Sequence, residues 1–405
     1  MAHRQGGDGV SAAYEDQCRK TVARWLTIAR GLLEQPTAPC HEELPQDYVR
    51  SFAKARPALS ASADAAGNLV LKYPARQVQQ SGRLLNNRAA GAPLVLVGHL
   101  DHPGFWITSA TRDKAELWFK GGVAAGHTRR GCRVRFFEIG RREPTGAGEL
   151  TAVVEENQRL ARARARIVEG SAQAGGFAMW DFPAFTVKNG FIVSRGCDDP
   201  LGSAVALCVL DELARRKPAG TAVWGLFTRA EEVGFLGTME ALRLKTVPRN
   251  ACVLSLECSK AAGVAPQGDG VAVRVGDRAS IFDPDLTDAL CQAAESVRHS
   301  HPGFRYQRKL MDGGTCEATP FCASGYRASG LAAPLGNYHN QSEGPDGPGI
   351  GPETVCVNDL VCEIRLLLAL ATQPQLLRKH ARRMPAWVKE RAKAARKLLY
   401  HGGET

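Results

Sequence analysis

Apolar residues along this 405-residue chain fall into short runs that alternate with longer stretches of helical spacing. Leu94 to Val97, Val223 to Phe227 and Val253 to Leu256 are predominantly apolar, the pattern of strands covered on both faces. Between the first and second of these runs, Leu201, Val205, Cys208, Val209 and Leu213 recur at helical spacing through Arg216, and Lys217-Pro218 and Gly220 close the segment. A strand, helix, strand rhythm of this kind predicts an α/β fold: a mixed, largely parallel sheet with helices on both faces.

The rhythm breaks between about residues 105 and 192. The segments ITSATRDKAELWFKGG, CRVRFFEIG and FTVKNGFIV alternate apolar with polar residues, and Asn189-Gly190 is a hairpin signal between two such runs. This predicts an inserted, mostly-β second domain. The expected layout is a catalytic α/β domain over 1–105, the insert over 106–192, the α/β domain resumed over 193–375, and a basic tail over 376–405. The stretch RLARARAR at 159–166 is expected to be an exposed face or loop of the insert.

Composition narrows the class. A hydrophobic fraction of 44% supports a sizeable core. No run approaches the ~18 apolar residues of a membrane span, and the start, MAHRQGGDGV, lacks the apolar centre of a secretory signal. Both point to a cytoplasmic protein without a membrane partner. There is no CxxC among the twelve cysteines, and Cys208, Cys252, Cys258 and Cys291 sit in apolar runs, which suits reduced thiols. The net charge of +11 suggests nucleic acid until it is located: residues 376 to 397 carry nine Lys or Arg against Glu390, leaving only +3 for the remainder. The basicity is that of a solvated terminal helix or frayed end, and no nucleic-acid motif accompanies it.

Candidate chemistry lies where the strands end. In an open α/β sheet the loops at the carboxyl ends of strands converge over a crevice. His99 and Asp101 follow the first run, and Asp198-Asp199 precedes the helix at Leu201. Glu231-Glu232 follows the Val223 run, Glu257 ends ACVLSLEC, and His339 follows Gly330 to Leu335. Taken alone, each is an ordinary polar residue, helix cap or surface charge. Together, two imidazoles and several carboxylates on one crevice form a donor set for a metal such as zinc, and burying that many acids with no cation would be costly.

GHLDHPG, DDPLGSA, EEVGFLG, the acid at Glu257, Gly313-Gly314-Thr315 and the late His339 occur in the order of a known group. The arrangement resembles the co-catalytic dimetal aminopeptidases of the glutamyl and tetrahedral aminopeptidase (cellulase-M-like) family over roughly residues 90 to 345. The resemblance implies a zinc-exopeptidase-like fold whose insert serves as a dimerisation or lid domain. It implies two divalent ions, zinc with cobalt or manganese able to substitute: His99 and Glu257 on one, Glu232 and His339 on the other, Asp198 bridging. It further implies that Asp101 orients His99 and that Glu231 is the general base for a metal-bridging hydroxide that attacks the first peptide bond of a peptide substrate. A homo-oligomer, a dimer or larger shell, is the implied assembly.

Four departures touch the substrate pocket: Pro200, Glu257 in place of the usual Asp, Cys316-Glu317 after the Gly-Gly-Thr, and Gly336 to Asn340 in place of Arg-Tyr-x-His-Ser. They leave open a dimetal amidohydrolase of the same fold acting on a non-peptide or N-acyl amide, and a catalytically silent binding protein that uses the basic tail. Three other candidates carry less. His299-Ser300-His301 precedes Pro302-Gly303 in a polar turn, His127 is a surface residue of the insert, and Cys197 has no obvious base and reads as packing.

Overall fold

A computed structural model describes residues 8–76, 91–261, 263, 265–345, 347–378 and 386–400. Four central strands run parallel, in the spatial order Val223–Thr228, Leu94–His99, Cys252–Lys260, Arg327–Gly336. The flanks are antiparallel. Leu69–Tyr73 and Ser60–Ala63 extend one edge, and Glu353–Cys356, Phe191–Ser194 and Thr186–Lys188 extend the other. The sheet is therefore mixed α/β, parallel at its centre.

The central runs are apolar because both faces are covered. Leu94, Leu96, Leu254 and Leu256 point to one face, where Asp8–Leu33, Pro200–Arg216, Pro284–Ser300 and Val357–Thr372 pack over them. Val95, Val97 and Val253 point to the other face, against Ala241 and Phe321 of the short helices Leu236–Arg243 and Ala318–Ala323. The helix Pro200–Arg216 begins with Pro at its first position, and the Asp199 side chain accepts from Gly202 N at 3.1 Å. That chemistry accounts for Pro200. It also brings the helix start against the His99 strand: a Cβ on Gly98 would lie 3.0 Å from Asp199 Oδ2 and Ser203 N, so glycine is what lets the two meet.

The insert is a closed six-stranded barrel built from Gly104–Ala110, Lys114–Lys120, Arg159–Gly170, Gly146–Glu156, Arg133–Phe137 and Phe177–Trp180. Its core holds Phe105, Phe119, Phe136, Leu150 and Trp180. Along Arg159–Gly170, Leu160, Ala163 and Ala165 face inward while Arg162, Arg164 and Arg166 face outward onto Glu156, Glu116 and Glu149. The basic stretch is thus an ion-paired outer face. The expected limits of the insert need correction at the far end. Thr186–Lys188 and Phe191–Ser194, with the Asn189-Gly190 turn between them, belong to the edge of the main sheet, because Phe191–Ser194 pairs with Glu353–Cys356. Alternation identifies a half-buried strand but not the sheet it joins.

The start of the expected tail is likewise core. Leu377 is buried, and its carbonyl accepts from Arg327 Nη1 at 2.6 Å. The helix Ala386–Tyr400 carries the basic charge, and its described side chains are mostly exposed. The twelve cysteines are all free thiols, and no described helix is long and apolar enough to cross a membrane.

Candidate active site

The strand-end residues named from sequence come together on one side of the parallel strands. His99 closes its strand, buried. Its Nδ1 faces the Asp101 carbonyl at 3.1 Å and Asp101 Oδ1 at 3.4 Å. Both are acceptors, so the proton sits on Nδ1 and the Nε2 lone pair points inward. It looks toward Asp198 Oδ1 at 3.6 Å and Glu231 Oε2 at 3.7 Å. His339 is arranged in the same way: Nδ1 donates to the Gly122 carbonyl at 2.7 Å, and Nε2 lies 3.4 Å from Asp198 Oδ2 and 3.1 Å from Glu232 Oε1. Asp198 therefore lies between the two imidazoles, one oxygen toward each.

Two groups have donor atoms within 4.8 Å of one another: His99, Asp198 and Glu232, and Asp198, Asp199 and Glu257. Asp198 is common to both. Asp199, named with Asp198 at the strand end but not among the expected ligands, lies in the second group; its Oδ1 caps the helix, while Oδ2 has no hydrogen-bond partner. Asp198 Oδ1 and Glu232 Oε1 are also buried without a hydrogen-bond partner. Orphaned carboxylate oxygens beside two bare imidazole nitrogens fit divalent cations, because nothing else nearby satisfies them.

Crowded acids alter one another's titration. Burial would lower the affinity of His99 for a proton, but Glu231, Asp101 and Asp198 outweigh it and hold the imidazole well above its ordinary range. His339 is raised in the same way, against burial, by Glu232 and Asp198. Burial pushes the carboxyl of Glu231 well above its ordinary range, with Glu232 and Glu257 adding to the effect and His99 opposing it. Glu257 rises to about 7 for the same first reason. Asp198 moves the other way: burial raises it, yet the imidazoles of His339 and His99 on either side hold it below the usual carboxylate range.

Buried carboxylates hold the backbone that carries these groups. Asp101, expected only to orient His99, also accepts from Glu231 N at 3.0 Å through Oδ1 and from Glu232 N at 3.1 Å through Oδ2. Sequence reading missed two more. Glu353 accepts from Cys197 N at 2.6 Å, Asp198 N at 3.0 Å and His339 N at 2.8 Å, tying the two loops that bear Asp198 and His339. Glu42 accepts from Ala230 N at 3.0 Å and pairs with Arg229 at 2.8 Å, just ahead of Glu231. Glu317, marked from sequence only as a departure, is buried and accepts from Thr228 Oγ1 at 2.5 Å and from Thr238 Oγ1. His102 also went unremarked; its ring nitrogens face the Asp198 carbonyl at 2.5 Å and Asn340 Oδ1 at 2.9 Å. No local signal marks such residues, since their partners lie up to 238 positions away.

The weaker candidates stay outside the cluster. His299 Nδ1 faces the Glu295 carbonyl at 2.6 Å at the end of a helix, and His127 lies 3.3 Å from Glu343. Burial drives the Cys197 thiol well above its ordinary range, so it is no thiolate nucleophile.

The cluster forms one wall of a cavity of about 230 Å³, closed further in by Cys258, Arg274, Met311 and Tyr338. Toward solvent it meets a wider recess of about 570 Å³, which shares Glu231, Glu232, Gly313, Gly314, Thr315, Tyr338 and His339 with it. Residues 160–346 match the model of the M42 glutamyl aminopeptidase family. The M42 match takes in Asp198, Glu231, Glu232, Glu257 and His339, and leaves out His99 and Asp101.

Solved structures share the fold. An aminopeptidase from the archaeon Desulfurococcus kamchatkensis is 20% identical, with a TM-score of 0.68 over 88% of this chain and 97% of that one. The Pyrococcus horikoshii TET1 peptidase, described as assembling into a tetrahedron or a large octahedral shell, is 20% identical, with a TM-score of 0.65 over 86% and 99%. A TET aminopeptidase from a marine-sediment Thaumarchaeota archaeon is 17% identical, with a TM-score of 0.67 over 87% and 99%. No curated protein matches the chain by sequence. The matched family is described as M42 glutamyl aminopeptidases, and the solved structures share this chain's fold.

Proposed function

We propose that this chain removes N-terminal residues from peptides, a reading carried by one observation: a two-imidazole, multi-carboxylate cluster at the junction of a smaller cavity and a wider recess. The smaller cavity, about 230 Å³, would take the first side chain, and the recess the remainder of the peptide. Two divalent ions would be held by His99 and Glu257, by Glu232 and His339, and by Asp198 between them, zinc suiting the donors and cobalt or manganese able to replace it. When bound they supply Lewis-acid polarisation of the scissile carbonyl and compensate the charge of a tetrahedral oxyanion. Glu231 takes the proton of the attacking water and returns it to the leaving amine, a task suited to a carboxylate beside the ligands, with Oε2 3.7 Å from His99 Nε2. Asp101 keeps Glu231 and Glu232 in place through their backbone amides.

Arg274 gives the smaller cavity a preference. The residue is buried and lines the cavity; its Nη1 reaches Ser259 Oγ at 3.4 Å, and its Nε has no hydrogen-bond partner. A buried guanidinium with donors to spare favours a carboxylate, so an acidic first residue suits this cavity. The barrel serves as lid and assembly domain in a cytoplasmic homo-oligomer, for which Trp118 (47% exposed) and Val168 offer apolar contact area. The deciding experiment incubates the metal-loaded protein with a peptide pool, half with free and half with acetylated N-termini, and follows it by mass spectrometry. Stepwise loss from free N-termini alone, abolished in Glu231→Gln with metal retained, is the expected result. Cleavage of neither half by metal-loaded protein overturns the reading, and cleavage of N-acyl amides instead would favour the amidohydrolase that the altered 336–340 loop allows.

A further inference from the structure

The outer recess carries charge that the proposed chemistry does not use. Arg159 and Arg278 both line it, together with the carboxylates Glu231 and Glu232. The next three arginines along the Arg159 strand each have a carboxylate partner on the barrel. Among the described residues, none lies within 4 Å of the Arg159 or Arg278 guanidinium. The backbone that carries each arginine is tied down. Arg159 follows the turn at Asn157-Gln158, whose backbone is bonded to the neighbouring segment by Ala125 N to Gln158 O and Leu160 N to Val123 O, both at 2.9 Å. That segment is in turn fixed to the catalytic domain by Ala124 N to Gln341 Oε1 at 2.8 Å. Arg278 N donates to the Gly314 carbonyl at 3.0 Å, fixing it at the recess wall formed by Gly313 and Gly314.

The distances set the reach. A Cβ built on Gly122 would lie 3.6 Å from Arg159 Nη1 and 3.6 Å from His339 Nδ1, so the guanidinium nitrogen lies within about two residues' length of the His339 ring.

We propose that Arg159 and Arg278 form an anion subsite on the leaving-group side, which binds a peptide carboxylate one or two residues beyond the scissile bond. The proposal rests on the aminopeptidase reading and deepens it. The substrate class is short peptides whose C-terminal carboxylate falls within reach, or longer ones with an acidic side chain at the second or third position. Both sources present the same carboxylate to the same pair of guanidinium groups.

Three tripeptides with an acidic first residue separate the outcomes: one with a free C-terminal carboxylate, its C-terminal amide, and an amide carrying Asp at the third position. Steady-state kinetics on the metal-loaded full-length protein should show KM about tenfold higher for the plain amide than for the acid, scaled for exposed guanidinium groups. In the Arg159→Ala/Arg278→Ala double variant the acid-to-amide ratio should fall to about 1. Recovery of the low KM by the third-position Asp extends the site to side-chain carboxylates; failure to recover assigns it to the C-terminal carboxylate alone. Equal KM for acid and amide in the unmutated protein, or a ratio unchanged by the double substitution, overturns the subsite. Cleavage of none of the three by the unmutated protein overturns the aminopeptidase reading instead.

Discussion

Replacing Asp101 by Asn tests whether one buried carboxylate organises the site. The substitution keeps the volume but turns one acceptor oxygen into a donor NH2. Asp101 uses both oxygens, Oδ1 toward Glu231 N and His99 Nδ1 and Oδ2 toward Glu232 N, so in either orientation of the amide one N–H loses its acceptor and meets another donor. A hydrogen bond to a charged group is worth about 1.5–3 kcal/mol. Losing one therefore frees the Glu231-Glu232 backbone at a cost of about 2 kcal/mol, or roughly 30-fold at about 1.4 kcal/mol per factor of ten. That agrees with the 10–100-fold loss of metal affinity typical when a residue behind a ligand is changed. Competition with a chromophoric chelator would measure zinc affinity, and kcat on the same preparation would show whether Glu231 has moved. Both should fall by one to two orders of magnitude. Metal affinity within twofold of the unmutated protein, with kcat also unchanged, would refute the assignment of Asp101 as the organiser of these groups.

Three further outcomes follow from the geometry. Glu363 is fully buried on Val357–Thr372 with no hydrogen-bond partner for either oxygen, and burial raises it to about 8. The folded state then keeps a proton that the unfolded chain gives up, so stability should fall as pH rises from about 4.5 through 8, by an amount on the order of 5 kcal/mol; Glu363→Gln should flatten that slope in denaturant titrations, and parallel curves would contradict it. Stripping divalent metal leaves Asp198, Glu231, Glu232 and Glu257 without a counter-charge, so restoring zinc, cobalt or manganese at 100 times Kd should stabilise the fold by about 2.7 kcal/mol. Differential scanning fluorimetry would detect that shift, which should shrink as pH falls through about 7, where Glu257 takes up a proton in the metal-free protein. Arg274→Met should lower kcat/KM for an acidic first residue by roughly tenfold or more while sparing an apolar one; equal losses on both would mean that the arginine serves the fold rather than selection.

The strand-end placement of His99, Asp198, Glu231, Glu232, Glu257 and His339 was legible because each follows or opens an element whose type its own residues reveal. Apolar runs covered on both faces end at the crevice, and the polar residue at the end is the one that stands out. The barrel was legible as β structure for the same reason, through the period-two pattern of Arg159 to Arg166 and its neighbours. Its far boundary was not, since Phe191–Ser194 alternates just as well in one sheet as in another and only its pairing with Glu353–Cys356 decides.

Other features were settled only by distant contacts. Glu42 and Glu353 look like surface acids in sequence, and each is fully buried because backbone amides from elsewhere in the chain converge on it. Arg159 stands first in a run of alternating arginines, and the fold places it apart from the ion-paired others at the mouth of the recess. By itself the sequence determined which elements form and which donor types reach their ends, because hydrophobic period and chain-end chemistry are local properties. Only the tertiary structure decided which carboxylates face the crevice, which hold its backbone and which charges line its entrance, because those roles depend on neighbours that the chain brings together only when folded.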